Sequence, residues 1–193
     1  MIRYHTQVES PIGVLTLASD GAAITGVYMD EVPRDDKNSH EWVVRDDLDI
    51  LQRAKSQLAS YFAGLTYSFD LPIAPTGTPF QRRVWDALLA IPYGETRSYG
   101  AIAHAIGIPN ASRAVGLANG RNPIAIVIPC HRVIGANGTL TGYGGGLWRK
   151  KILLDLEQSH LLDYSDQEAS IVEQRATGKL FNAVDGRLND LVR

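Results

Sequence analysis

Sulfur is scarce in this chain: 193 residues carry one cysteine, Cys130, and two methionines. A single thiol cannot close an internal disulfide, and it cannot supply the paired thiolates of a structural zinc site. Any chemistry that needs sulfur therefore falls on Cys130. Long apolar runs are also missing. No stretch of about eighteen apolar residues offers a membrane span. The opening MIRYHTQVESPIG lacks the charged start and apolar block of a cleaved signal, so we expect a cytoplasmic protein. Net charge is only −2, which taken whole gives no pull toward nucleic acid. What remains is an ordinary globular composition, 45% hydrophobic and 21% charged, with room for one good core or two small ones.

The small net charge hides an asymmetry. Residues 1–77 hold 6 Lys and Arg against 11 Asp and Glu, a balance of −5. Residues 78–158 hold 9 against 4, or +5, and residues 159–193 hold 4 against 6, or −2. A basic middle between acidic flanks suits local attraction to a phosphate backbone, although a solvated surface can carry the same balance.

The first third reads as strands and one helix. SPIGVLTLASDG and AAITGVYMDE alternate in strand fashion around an Asp20–Gly21 turn, which predicts a hairpin. VPRDDKNSHEW reads as a polar loop. DDLDILQRAKSQLASYFAG places Leu48, Leu51, Ala54, Leu58, Tyr61 and Phe62 on one helical face and stops at Gly64. YSFDLPI predicts a short strand, and APTGTP sets a domain boundary near residue 76.

The middle third is mainly helical. TPFQRRVWDALLAIP predicts a helix with Thr78 as N-cap and Pro79 at its first position, turning Phe80, Val84, Leu88 and Leu89 inward. Ser98 caps YGAIAHAIG, Gly107 ends it, IPN turns, and ASRAVGLANG forms another helix, giving a helix-turn-helix. Many proteins that never meet DNA share that pattern. NPIAIVIPCHRVIG reads as a buried strand-like run, GANGTLTGYGGG as loop, and LWRKKILLDLE as a helix with Leu147, Ile152, Leu153 and Leu156 inward. At the end of the apolar run stands Cys130 between Pro129 and His131, with Arg132 next. A proton acceptor and a cation beside a thiol favour thiolate, although a lone cysteine can equally be buried and inert. Physically, the set leaves a reactive nucleophile and a packed thiol both open.

IPCHRVIG at 128–135, preceded by ASRAVG and by Asn122-Pro123 and followed by TGYGGG, strongly resembles the O6-alkylguanine-DNA alkyltransferases, the methylated-DNA–protein-cysteine methyltransferases. The resemblance covers roughly residues 78–158, and residues 1–76 look like that family's more variable N-terminal domain. It implies an α+β fold: a small N-terminal α/β domain, ribonuclease-H-like, over 1–76, and a mainly helical DNA-binding and alkyl-acceptor domain over 77–158. Residues 159–193 are an extension where the family's chain normally ends, either a helix or a mobile tail.

What the resemblance implies for chemistry is single-use transfer of an alkyl group from O6 of guanine in duplex DNA to Cys130, with no cofactor and no metal. His131 takes the thiol proton through a water, and Glu157 orients the imidazole. Asn122 supports the active-site backbone, and Tyr99 donates its phenol proton toward the departing guanine. Arg113 fills the space left by an extruded nucleotide, with Ser98, Ser112, Ala114 and Gly116 beside the minor groove, reading shape with little sequence specificity. Tyr143, Gly144, Gly145 and the Val133 carbonyl wall the guanine pocket. Where relatives carry a serine in that loop, Gly144 offers backbone only. The expected partner is alkylated duplex DNA, bound by a monomer away from any membrane.

Overall fold

The computed structural model describes residues 2–29, 32 and 41–176, from 162 onward by backbone alone. Four strands open the chain: β1 (Ile2–Val8), β2 (Leu15–Ser19), β3 (Ile24–Tyr28) and β4 (Glu41–Val44). They form one sheet in the order β3-β2-β1-β4, with β4 parallel to β1 and the other pairs antiparallel. The expected hairpin is β2–β3. Its turn is held by Asp20, whose Oδ1 accepts from the Ala22 and Ala23 amides at 2.9 Å each, while Gly21 takes φ 103°. Every residue of β2 is buried.

Two strands were not expected. β1 is central in the sheet, yet it spends polar residues on buried positions: Arg3 and Thr6 are both buried, which blurs the apolar alternation. β4 takes its first two residues, Glu41 and Trp42, from the stretch read as a polar loop; residues 33–40 of that stretch lie outside the described residues. The strand expected at YSFDLPI shrinks to a single bridge, Ile73 to Ile24, because Pro72 and Pro75 cannot donate to a ladder.

Helix α1 (Asp49–Phe62) buries Ile50, Leu51, Ala54, Leu58 and Tyr61, and Gly64 at φ 71° releases the chain. Helix α2 (Pro79–Leu89) opens on the expected cap: Thr78 accepts from the Gln81 amide and the Gln81 side chain returns to the Thr78 amide. Val84, Trp85 and Leu88 face inward, while Leu89 is 45% exposed, against expectation, one position past the buried stripe. Strand β5 (Arg97–Ser98) leads into α3 (Tyr99–Ala105), capped by Ser98 Oγ accepting from the Ala101 amide at 3.1 Å. After the turn at Gly107 comes α4 (Ser112–Gly120). Trp85 Nε1 donates to the Ala118 carbonyl at 2.9 Å and so locks α2 to α4.

The apolar run 123–129 is buried, as expected, but it is folded on itself and is not a strand. Asn122 explains why: its amide donates to the Ile128 and Ile124 carbonyls at 2.8 and 3.4 Å, and its Oδ1 accepts from the Ile124 amide at 3.0 Å. Ile126 at the apex has φ 72°, a costly conformation for a β-branched side chain. A 3-10 turn (Cys130–Arg132) follows, then β6 (Val133–Ile134), parallel to β5. Among the described residues, helix α5 (Leu147–Ala176) comes last. Leu153 is buried on it, but Leu147, expected inward, is 46% exposed in the first turn. Helical backbone continues through 176, so this part of the extension is helix. By packing the chain divides into two units, 1–156 and 157–193.

Candidate active site

Cys130 begins the 3-10 turn, 5% exposed, and its amide donates to the Ile128 carbonyl at 2.8 Å. The backbone that delivers it is held from two sides. Asn122 ties the turn internally, and β3 reaches across from the sheet: the Val27 amide donates to the Pro123 carbonyl at 2.9 Å and the Ala125 amide to the Val27 carbonyl at 3.3 Å. The strained Ile126 is thus fixed by bonds on both flanks.

The thiol lies on a cavity of about 200 Å³ lined by Val27, Tyr28, Met29, Asn119, Gly120, Asn122, Ala125, Tyr143, Gly144 and Gly145 as well as Cys130. That is below the roughly 300–1,000 Å³ of pockets for drug-sized ligands, and it suits one flat ring system more than a whole nucleotide. Expected residues Cys130, Asn122, Tyr143, Gly144 and Gly145 meet here. Tyr99 and Val133 are outside the lining. The Tyr99 hydroxyl donates to the Thr141 and Gly142 carbonyls at 3.0 and 3.3 Å, and burial raises its pKa, so the phenol keeps its proton. The Val133 carbonyl, expected free for a base, already accepts from Lys150 Nζ at 2.5 Å, with one lone pair to spare. His131 and Glu157 are fully buried, and Glu157 is the first residue of the second unit.

Burial pushes the Cys130 thiol above its ordinary value, with the Asn122 side chain and the Lys150 charge acting the other way. This reverses the expectation of a lowered thiol. Arg132, counted on as the cation, turns away: its Nη1 donates to the Ile91 carbonyl at 2.7 Å and its guanidinium stands 5.5 Å from the Tyr93 ring centroid. The cation near the sulfur is Lys150, which sequence reasoning missed. Its side chain is fully buried, Nζ also donates to the Thr141 carbonyl at 2.8 Å, and it stands 6.0 Å from the ring centroids of both Tyr99 and Tyr143. Burial lowers its pKa to about 8. The spacing Lys150, Leu153, Glu157 marks one buried helical face and could have revealed it, but Lys150 sits in an Arg-Lys-Lys run that reads as a solvated one. Asn119 was missed too. It donates to the Cys130 carbonyl at 3.3 Å, and its buried Oδ1 has no hydrogen-bond partner among the described residues. Met29 had no signal at all, since it enters the lining from a strand end about a hundred residues away.

On the helix-turn-helix, Arg113 and Ala114 are exposed, and Ser112 and Gly116 are half-buried. The Tyr99 ring lies 3.8 Å from where a Cβ on Gly116 would stand, so a small residue lets helix and tyrosine approach. Among the described residues, no group of three or more His, Cys, Asp or Glu side chains could hold a metal ion, and no helix is long and apolar enough to cross a membrane.

Residues 2–75 match the family model described as 6-O-methylguanine DNA methyltransferase, ribonuclease-like domain, and residues 79–159 match its DNA binding domain. A methylated-DNA–protein-cysteine methyltransferase of Mycobacterium tuberculosis is 57% identical over 82% of this chain and 94% of its own, and one from Methanosarcina acetivorans is 53% identical over 81% and 99%. The crystal structure of Mycobacterium tuberculosis OGT in complex with DNA matches with a TM-score of 0.75 at 53% identity, over 81% of this chain and 94% of that one. The chain belongs to the 6-O-methylguanine DNA methyltransferase family.

Proposed function

We propose that this protein repairs DNA by moving an alkyl group from O6 of guanine to Cys130, once per chain. The observation that carries the reading is that the chain's one thiol opens onto a base-sized cavity whose rim includes Gly120 of the second helix of a helix-turn-helix. A methyltransferase of this family needs a cysteine acceptor, and there is no other cysteine. The relatives' names and a relative solved with DNA support duplex DNA as the partner.

The sulfur attacks the alkyl carbon in line with the departing oxygen: an S–C bond forms, the C–O6 bond breaks, and guanine leaves with the electron pair. Because burial favours the neutral thiol, deprotonation has to accompany attack. His131 accepts that proton through a water, and Glu157, assigned by resemblance, orients the imidazole. The buried charge of Lys150 stabilises the thiolate as it forms. Tyr99 holds its proton toward the guanine ring, exchanging its resting carbonyl partners for the base, while Asn122 keeps the Cys130 turn rigid. Tyr143 supplies an aromatic face, Gly144 and Gly145 supply backbone NH groups, and Val133 offers its second lone pair to the exocyclic amine. The nucleotide reaches the cavity by extrusion into the minor groove, with Arg113 filling the gap and Ser98, Ser112, Ala114 and Gly116 against the backbone. Neither metal nor cofactor takes part, and the protein acts as a cytoplasmic monomer.

Intact mass after exposure to methylated duplex tests this directly. The expected result is a gain of one methyl group per chain, located on the peptide holding residue 130 and abolished by Cys130→Ser. Methyl release continuing past one per chain would instead establish a cysteine hydrolase.

A further inference from the structure

The outer face of α4 and its C-cap carry a pattern of which the proposed function uses only Arg113. Arg113, Leu117 and Arg121 follow one another at i, i+4 spacing, so they share one stripe. All three are exposed, and Leu117, at 70%, is far more so than Ile108, the other exposed large apolar residue of the helix-turn-helix, at 37%. Packing uses the opposite side of the helix, through Val115, Ala118 and Asn119. A single exposed leucine is ordinary on a protein surface. This one stands between two arginines, on a helix with no acidic residue, in a chain whose net charge is negative. The stripe also runs to the mouth of the site: Gly120, beside Arg121, lines the Cys130 cavity.

We propose that Leu117 is an apolar wedge pressed into the minor groove about one helical turn, or about 6 Å, from Arg113, with Arg121 meeting a phosphate. The inference rests on the reading of α4 as the DNA-facing helix. Its charge fits a polyanion, and its apolar centre fits the edges of bases more than a phosphate. An inserted apolar side chain partly unstacks a base step and kinks the duplex, and a nucleotide beside a weakened step leaves the stack more cheaply. Leu117 then divides the work of extrusion with Arg113, one side chain opening the neighbouring step and the other occupying the hole.

The test compares transfer from methylated duplex with transfer from a free O6-alkylguanine base, in the full chain and in Leu117→Ala, Leu117→Met and Arg121→Ala. Leu117→Ala is expected to slow duplex transfer about tenfold, the scale of one lost apolar insertion, and to leave the free base unaffected. Leu117→Met restores most of the rate. Arg121→Ala weakens duplex binding alike for all sequences and lowers the slope of log affinity against log salt by about one; Leu117→Ala leaves that slope unchanged. Because Leu117 is exposed, its variants should melt with the parent. A Leu117→Ala chain as fast on duplex as an active parent overturns the wedge and leaves the alkyl transfer standing. Loss of parental self-association in that variant, at unchanged duplex rate, makes the stripe a contact between copies and overturns it as well. A parent that reacts with the free base but never with duplex refutes the DNA reading, and the wedge falls with it.

Discussion

Lys150 shows how one side chain can serve position and charge together. Its Nζ bonds the carbonyls of Val133, just after the 3-10 turn, and of Thr141, in the loop that carries Tyr143. Thr141 also accepts from Tyr99, so one cation fixes the spacing of three segments around the sulfur. Lys150→Met keeps the length, removes the charge and takes one donor from each of two carbonyls, with Tyr99 still donating to Thr141. Alkylation of Cys130 by a small electrophile should then require higher pH than in the parent, because burial still favours the neutral thiol and the opposing charge is gone. Stability carries the same signature. The folded-state pKa of Lys150 is about 8 against an ordinary 10.5, so between those values the unfolded chain holds a proton that the folded one has lost. Protons bound in excess by the unfolded state make stability rise with pH. The stability difference between parent and Lys150→Met is therefore flat below pH 8 and grows in the parent's favour from 8 to 10.5. Denaturant titrations at pH 7, 9 and 10.5 check this, and a difference unchanged across the series would rule the buried charge out as its source.

Three segments beyond the boundary near residue 76 show what a short sequence stretch can and cannot disclose. The start of α2 was legible because its signal is local: Thr78, Pro79 and Gln81 make the cap by themselves. The helix-turn-helix was legible for the same reason, through Ser98 and Gly107. The run 123–129 was not. Its apolar residues fit a buried strand by pattern, and only the side-chain bonds of Asn122 turn it into a tight loop around Ile126. The thiol's position was legible, but its electrostatics were not, since Lys150 approaches across twenty residues and Met29 across a hundred. Paired substitutions separate the two kinds of element. Thr78→Ala removes an exposed cap and should cost about 1 kcal/mol with alkyl transfer intact. Asn122→Ala strips three bonds from a partly buried turn and should cost about 2–4 kcal/mol, while abolishing transfer because the sulfur loses its fixed place. Thermal unfolding and single-turnover transfer give both readouts, and an active Asn122→Ala would mean that the turn holds itself.

Across the first unit, the sheet and the nucleophile turn behave as one body because they share hydrogen bonds and not merely contact. Val27 of β3 both donates to Pro123 and accepts from Ala125. Arg149 makes a second tie: its Nε donates to the Ile12 carbonyl at 2.8 Å and its Nη1 to the Gly145 carbonyl at 3.0 Å, joining the segment before β2 to the cavity wall. A cavity assembled from Met29, Cys130 and Gly145 keeps its shape only while these ties hold. The N-terminal half is thus a wall of the site as well as a scaffold. Hydrogen exchange should therefore place the Val27, Ala125 and Ile128 amides in the same slow class as those of β2, although two of them lie in a loop. Arg149→Met, which keeps the stem and loses both bonds, should lower stability by about 1.5–3 kcal/mol, the scale of hydrogen bonds to charged groups. It should also speed exchange at Gly145 ahead of the sheet, because the loop carrying Gly145 loses its tie to Ile12 while Val27 still holds the separate 123–125 turn. If loop amides in the parent exchange early while β2 stays protected, the two halves open independently, and the N-terminal strands cannot be what holds the sulfur in place.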